Sequence, residues 1–264
     1  MSEKKPLLVE REGHVVTLTM NRPEARNAFD LHMLYELWQA WDMIEKDTEI
    51  RVAILTGAEG NFCAGSDLKA MASGHDPALV QKFQTDPDMH WRALLRHHRP
   101  RVPVIAAVEG YAFAGGTEIL QGTDIRIAAK GAMFGVTEVK LGLFPLGGST
   151  VRLRRQIPHA VAMDMLLSGR ALTAEEAYHF GLVSRLVEKG EALAEAKKVA
   201  AQIALCGPLA VEAVKRSAYA SDGLTEKEAL AQELEIGQPI FKTNDAKEGP
   251  RAFVEKRAPK FTRS

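Results

Sequence analysis

The stretch Val104-Ile-Ala-Ala-Val-Glu-Gly-Tyr-Ala-Phe-Ala-Gly-Gly-Thr-Glu118 limits the architecture of this chain more than any other. Val104 to Val108 is an unbroken apolar run, the pattern of a strand buried on both faces. The run breaks at Gly110 and passes the pair Gly115-Gly116. Thr117-Glu-Ile-Leu120 then reads as a helix start. A strand that feeds a glycine turn and then a helix brings free backbone N–H groups to a helix N-terminus, where negative charge is favoured. The question for the rest of the chain is which negative charge.

Upstream, residues 7–20 predict two short strands around a turn at Glu12-Gly13, the second rich in β-branched residues. Asn21 to Asn27 is polar, contains Pro23, and reads as a loop. Asp30 can cap a helix whose apolar positions Leu34, Leu37, Trp38, Trp41 and Ile44 keep helical spacing. Arg51 to Thr56 is another buried strand. A helix between two apolar strands is a βαβ signature, so a parallel sheet is expected. A further helix is predicted near Ser66-Asp67.

Residues 72–90, with Gly74, Pro77 and Pro87, show little periodicity and read as a mobile or variable segment. Arg92 to Arg101 is basic and reads as partly helical. Strands are predicted at Asp124–Ala129 and Ala132–Phe134, then a glycine and proline loop at Gly142–Gly148. From Ser149 helical patterns dominate, near 149–156, 159–168, 173–180, 191–205, 208–220, 224–241 and 245–256, with one strand signal at Leu182–Val187. The organisation expected is a core domain over 1–195 and a helical region over 196–264.

Composition narrows the function classes. The 264 residues carry 34 basic and 34 acidic side chains, so no global field for nucleic acid or membrane exists. Cys63 and Cys206 lie far apart and outside any Cys-x-x-Cys pair, which speaks against a disulfide framework or zinc site and for a reducing compartment. The histidines include adjacent His97-His98 but no set at ligand spacing, so no metal is expected. Met1-Ser-Glu-Lys-Lys-Pro6 has no apolar h-region, and a cytoplasmic location is the expectation.

Two loops share one design: Ala64-Gly65-Ser66-Asp67 and Ala114-Gly115-Gly116-Thr117. Two backbone N–H groups aimed at one point form an oxyanion hole, although glycine turns between strand and helix are common. Gly110 to Thr117 has the glycine spacing of a phosphate loop, but Gly116 stands where that loop needs lysine, which excludes a nucleotide triphosphatase. No Gly-x-Gly-x-x-Gly run is present. Ser66 lies outside a Gly-x-Ser-x-Gly elbow, so its amide matters more than its hydroxyl. Glu118 and Glu138 each follow one of the turns. Paired carboxylates beside an oxyanion hole suit addition of water next to a thioester carbonyl. Spacing alone leaves open a helix-capping Glu118 and a surface Glu138.

The motifs Phe62-Cys-Ala-Gly-Ser-Asp-Leu68, Pro103 to Glu118 and Phe134-Gly-Val-Thr-Glu138 together resemble those of the crotonase (enoyl-CoA hydratase/isomerase) superfamily. The resemblance runs on through Asn21–Ala28, Gly142–Ser149, Leu166–Arg170, Ala174–Ala177, Gly181–Val183 and Ala252–Arg257, in order along nearly the whole chain. It implies an α/β spiral of repeated ββα turns, the ClpP/crotonase fold, with a helical C-terminal region that builds a homotrimer or a dimer of trimers. The resemblance is strongest to the hydratase branch that keeps two glutamates, which fall at Glu118 and Glu138. The expected activity is that of a hydro-lyase of acyl-CoA metabolism adding water to a 2-enoyl-CoA, and coenzyme A is then part of the substrate, with no separate cofactor.

By the same resemblance the amides of Ser66 and Gly115 form the oxyanion hole. Ala25, Arg26 and Ala28 lie along the CoA, while Ala64, Asp67 and Leu68 flank its thiol arm. Tyr111, Ala114 and Thr137 are further substrate-side positions. Phe253 and Lys256 resemble positions that reach CoA on a neighbouring subunit. Met71, Phe83, Met89 and Trp91 are candidates to shape the acyl pocket. The chain departs from the commonest pattern at Ala114 (usually glycine), Thr137 (frequently proline) and Ser66 (commonly alanine), which bears on substrate preference. Competing expectations are an isomerase or a carnitinyl-CoA-type dehydratase. A non-catalytic RNA-binding relative is more remote; its support is the cluster Arg92, Arg96, His97, His98, Arg99 and Arg101 with Arg152, Arg154 and Arg155.

Overall fold

The computed structural model describes residues 5–73 and 76–264, apart from the side chains of Met71 and Ser73. Its strands are β1 (Leu7–Glu12), β2 (Val15–Met20), β3 (Val52–Gly57), β4 (Val104–Val108), β5 (Tyr111–Phe113), β6 (Ile125–Ala129), β7 (Met133–Gly135), β8 (Ala171–Thr173) and β9 (Arg185–Val187). Its helices are α1 (Leu31–Lys46), α2 (Leu68–Ser73), α3 (Pro77–Thr85), α4 (Asp88–Ala93), α5 (Gly115–Leu120), α6 (Ser149–Gln156), α7 (His159–Ser168), α8 (Ala174–His179), α9 (Ala192–Ala204), α10 (Pro208–Ala220), α11 (Glu226–Gly237) and α12 (Asn244–Val254).

The large sheet runs β1-β2-β3-β4-β6-β9, antiparallel at β1–β2 and parallel elsewhere, and a second layer runs β5-β7-β8. The central strands show why the sequence reads there as nearly all apolar. Ala53, Leu55, Val104, Ala106 and Val108 face one core, and Val52, Ile54, Ile105 and Ala107 face the other. A parallel strand covered on both faces leaves no side for water. On the first face lies α1, capped by Asp30, whose Oδ1 accepts from the Met33 amide at 2.8 Å. Its inward residues are Met33, Leu34, Leu37, Ala40, Trp41 and Ile44. On the second face α9 lays down Ala192, Ala196, Val199 and Ala200, one stripe of a 3.6-residue period.

After each inner strand the chain steps into the second layer. Phe29, beyond β2, bridges Ser66 in parallel; Cys63, beyond β3, bridges Ala112; β5 follows β4 and β7 follows β6. The repeated unit is therefore a strand, a short second strand and a helix or 3-10 turn. This is the ββα spiral that the resemblance implied.

Several local expectations change. The helix after β4 starts at Gly115 rather than Thr117, and β5 precedes it. Three residues are too few to show a period; β5 exists because β7 pairs with it. Short β8 is unannounced in sequence for the same reason and pairs with β7. Residues 76–90, within the segment read as mobile, hold α3 and the first half of α4. Asp76 accepts from the Ala78 amide and Pro77 occupies the first turn of α3, while Leu79 and Met89 are buried. Gly74 and the Met71 side chain lie outside the described residues. Helix α4 ends at Ala93, so most of Arg92–Arg101 is turn, with Leu95 left-handed at φ +53°. The 224–241 pattern divides at Gly237 into α11 and a 3-10 turn, Gln238–Lys242, where Pro239 lacks the N–H to continue the ladder. Helix α9 runs across the expected boundary between 195 and 196 and packs on β3, β4 and β6.

Candidate active site

The two glycine loops meet. Gly65 has φ +93°, and a Cβ placed on it would lie 2.8 Å from Ala114 Cβ and 3.1 Å from the Gly115 amide nitrogen. Only glycine tolerates both that angle and that approach. Phe29 holds the Ser66 loop, its amide donating to Gly65 O at 2.7 Å and its carbonyl accepting from Asp67 N at 2.8 Å. Across the gap Ala114 adopts φ +50°, ψ −124°, with its amide donating to Gly135 O at 2.7 Å. A non-glycine residue held there costs about 1–3 kcal/mol. Among the described residues, neither the Ser66 nor the Gly115 amide donates to a carbonyl. Both donors are left for an acceptor from outside the chain.

Glu118 stands on the first turns of α5 and is 5% exposed. Its Oε2 accepts from the Gly147 amide at 2.9 Å and its Oε1 from the Ser149 amide at 3.1 Å. Burial raises its pKa, and the hydrogen bonds from Ser149, Gly147 and Gly148 oppose that rise. Glu138 opens the 3-10 turn Glu138–Leu141 that follows β7. Its Oε2 is buried with no hydrogen-bond partner. Burial, opposed by the backbone amides of Glu138 and Thr137 and reinforced by the negative charge of Glu118, pushes its pKa up to about 7. Two neighbouring carboxyls thus differ in how they are held: both Glu118 oxygens accept amides from the Gly147–Ser149 loop, whereas Glu138 has one buried oxygen with no partner. Pairs whose surroundings separate their pKa values divide into acid and base.

Gly147 is where this arrangement is most exposed to substitution. A Cβ there would sit 2.5 Å from Glu118 Oε2. Gly147→Ala is expected to displace the carboxylate, lower turnover at least tenfold and depress the melting temperature, as steady-state kinetics and thermal unfolding would show.

The remaining sequence candidates fall into three groups. Arg26 is left-handed at φ +51°, and its guanidinium carbon lies 5.4 Å from the Tyr111 ring centroid. The Arg26 carbonyl accepts from the Ala64 amide at 3.0 Å, which brings Ala25, Arg26 and Ala28 beside the Ala64–Leu68 loop. Leu68 and Tyr111 are exposed, and Ala28 is buried. Asp67 is buried enough to oppose its charge, yet amides of Ala70 and Lys69 and the Arg22 guanidinium lower its pKa. Thr137 precedes the Glu138 turn. Phe253 and Lys256 lie apart, exposed at the end of α12, which packs on the 3-10 turn before it.

Sequence reading missed Arg22 and Asn27. Arg22 ties the loop together, donating to Ala28 O at 2.7 Å and Asp67 at 2.8 Å and pairing with Asp30 at 3.2 Å. Fully buried Asn27 accepts from Arg22 N and donates to Ala58 O and Asn61 O. A polar cluster flanking Pro23 was the available signal, and it reads equally as solvated loop.

A model of the enoyl-CoA hydratase/isomerase family matches residues 10–264. The chain belongs to the enoyl-CoA hydratase/isomerase family. It is 52% identical over 254 residues to the enoyl-CoA hydratase EchA19 of Mycobacterium tuberculosis, covering 96% of this chain and 95% of that protein. It is 38% identical over 257 residues to (E)-benzylidenesuccinyl-CoA hydratase of Thauera aromatica, covering 97% and 98%. A crystal structure of enoyl-CoA hydratase from M. tuberculosis superposes with a TM-score of 0.90 at 41% identity, over 99% of this chain and all of that one. The fold is thus that of the family.

The basic cluster is not a continuous patch. Arg101 pairs with Glu212 and caps carbonyls of Ile44, Asp47 and Ile50. Arg99 lies 3.6 Å over the Tyr219 ring, and Arg152 is buried. Among the described residues no His, Cys, Asp or Glu group is arranged to hold a metal, and no helix is long and apolar enough to cross a membrane. Cys63 is fully buried, and burial pushes its thiol up to about 12. Titration of the native protein with a thiol reagent is expected to modify exposed Cys206 and spare Cys63 until denaturant is added.

Proposed function

We propose that this chain is an enoyl-CoA hydratase that adds water across the 2,3-double bond of a 2-enoyl-CoA, with Glu118 and Glu138 as its acid–base pair. The observation that carries this reading is the pairing of a carboxylate held by two loop amides with a carboxyl whose buried Oε2 has no partner and whose pKa burial pushes up to about 7, behind two open amide donors. The thioester oxygen accepts from the Ser66 and Gly115 amides. Ionised Glu118 takes a proton from water as the oxygen bonds to C3. The π electrons move onto the thioester as an enolate, which the amides stabilise. Neutral Glu138 then delivers its proton to C2, and proton exchange with solvent resets the pair. The chemistry balances with water alone, so no further cofactor is required.

Arg26 and Tyr111 form a cationic, aromatic ledge suited to CoA, with Ala25, Ala28, Ala64, Asp67, Leu68, Ala114 and Thr137 around the thioester and its arm. Phe253 and Lys256 serve a neighbouring subunit. Val214, Leu230, Leu234, Phe241, Phe253 and Val254 are large apolar residues exposed on α10–α12 and the connecting turn. An apolar surface of that extent is normally covered by a partner. A trimer or dimer of trimers in the cytoplasm is the assembly proposed, and analytical ultracentrifugation should return three or six times the 28.9 kDa chain mass.

The deciding experiment follows loss of the conjugated enoyl thioester across a panel of straight, branched and carnitinyl substrates. Hydration of 2-enoyl-CoA thioesters is expected. Double-bond migration in 3-enoyl-CoA without any hydration would overturn the proposal.

A further inference from the structure

We propose that Arg96 is a positioning residue for Glu118, acting through the peptide that joins Leu146 to Gly147. This rests on the reading of Glu118 as the group that takes the water proton. The Gly147 amide donates to Glu118 Oε2 at 2.9 Å, and the carbonyl of the same peptide, Leu146 O, accepts from Arg96 Nε at 2.7 Å. One peptide is thus held at both ends, by a cation at its oxygen and a carboxylate at its N–H. Charge-assisted bonds are roughly twice as strong as neutral ones, and bonds in series polarise one another. The guanidinium therefore fixes the peptide's orientation and strengthens Gly147 as a donor to an anion.

The segment needs such an anchor. Between Glu138 and Gly147, Leu141, Leu143, Phe144 and Leu146 are exposed, and only Pro145 is buried. Backbone bonds from Gly142 to Val139 and from Leu143 to Glu138 secure its first half. Among the described residues, no side chain other than Arg96 hydrogen-bonds to residues 139–146. Without it the second half has one buried proline to hold it.

Arg96 is itself fixed. Its guanidinium carbon lies 5.0 Å from the Trp91 ring centroid, and its amide donates to Trp91 O at 2.9 Å. Arg152 on α6 donates to Leu95 O at 2.7 Å and to Arg96 O. Helix α6 begins at Ser149, the second amide donor to Glu118. Both donors to the carboxylate are thereby tied to the turn after α4, Gly147 by Arg96 and α6 by Arg152. The charges facing Glu118 are Glu138 from the 3-10 turn and Arg152 from α6, with Arg96 and Arg99 acting in turn on Arg152.

The test compares Arg96→Met, which removes the donor, with Arg96→Lys, which keeps a cationic donor, and uses crotonyl-CoA as the probe. A loosened Gly147 favours the neutral carboxyl, so the acid limb of kcat/KM should move up by about half to one pH unit in Arg96→Met. In the same variant kcat should fall about tenfold with KM within about twofold of wild type. Arg96→Lys should recover most of both effects. Arg96→Gln is measured alongside with thermal unfolding, so the result does not depend on one variant folding. A profile for Arg96→Met or Arg96→Gln that overlays wild type after scaling overturns the positioning role. Glu118→Gln separates the two claims. If it hydrates at the wild-type rate, the reading of Glu118 fails and the proposal with it. If it is inactive while the Arg96 profiles are unshifted, the positioning role alone fails.

Discussion

Replacing Glu138 with Gln is expected to cut hydration of a 2-enoyl-CoA by ~10²–10⁴-fold, the range lost when a general acid is removed. Gln keeps the shape and has no proton to give C2. The same change should stabilise the protein at alkaline pH. Burial raises the Glu138 pKa from 4.5 to about 7, so the folded state binds the proton more tightly than the unfolded chain. Its contribution is fully present below about 4.5 and is lost as pH rises through about 7. Discounted for the partial exposure of Glu138, the burden above pH 7 is about 1–2 kcal/mol. Thermal melts should therefore show Glu138→Gln gaining on wild type at pH 8 and converging with it near pH 4. Wild-type hydration should fall as pH rises through about 7, where the acid ionises. Near-normal hydration by Glu138→Gln would sink the acid assignment.

Glu118→Gln is expected to lose activity in the same ~10²–10⁴ range but with the opposite effect on stability. Both carboxylate oxygens receive amide N–H donors, from Gly147 and Ser149. A Gln side chain must turn its NH2 toward one of them, and a buried donor left facing a donor costs about 1–3 kcal/mol. The melting temperature should drop at neutral pH. Removing the charge also relieves Glu138, whose pKa is raised partly by Glu118. The alkaline limb of any residual activity should then move to lower pH. A stable Glu118→Gln protein with an unmoved limb would show that the two carboxyls do not sense each other.

The two variants separate what each acid is made of. Burial raises the pKa of both carboxyls; at Glu118 two loop amides oppose the rise, whereas at Glu138 the buried Oε2 has no partner. A single substitution type, Glu to Gln, should then stabilise one site and destabilise the other.

Much of this was legible in the chain itself. The apolar runs of β3 and β4 and the capped period of α1 are local patterns, each carried by residues within one element. The glycine loops at Gly65 and Gly115 and the carboxyls of Glu118 and Glu138 are also local, and the family resemblance suggested the roles proposed for them. What sequence could not express is contact between distant segments. β5 and β8 are three residues each and exist through pairing with β7. Asn27 and Arg22 look like loop residues until burial and five partners besides each other make them a scaffold. The different environments of the two glutamates depend on Gly147 and Ser149, 29 and 31 residues beyond Glu118, and on the burial around Glu138. Periodicity and turn chemistry thus determined which elements form and which side chains carry acid. Tertiary structure alone decided how tightly each carboxyl holds its proton, because desolvation and amide donation are properties of neighbours in space.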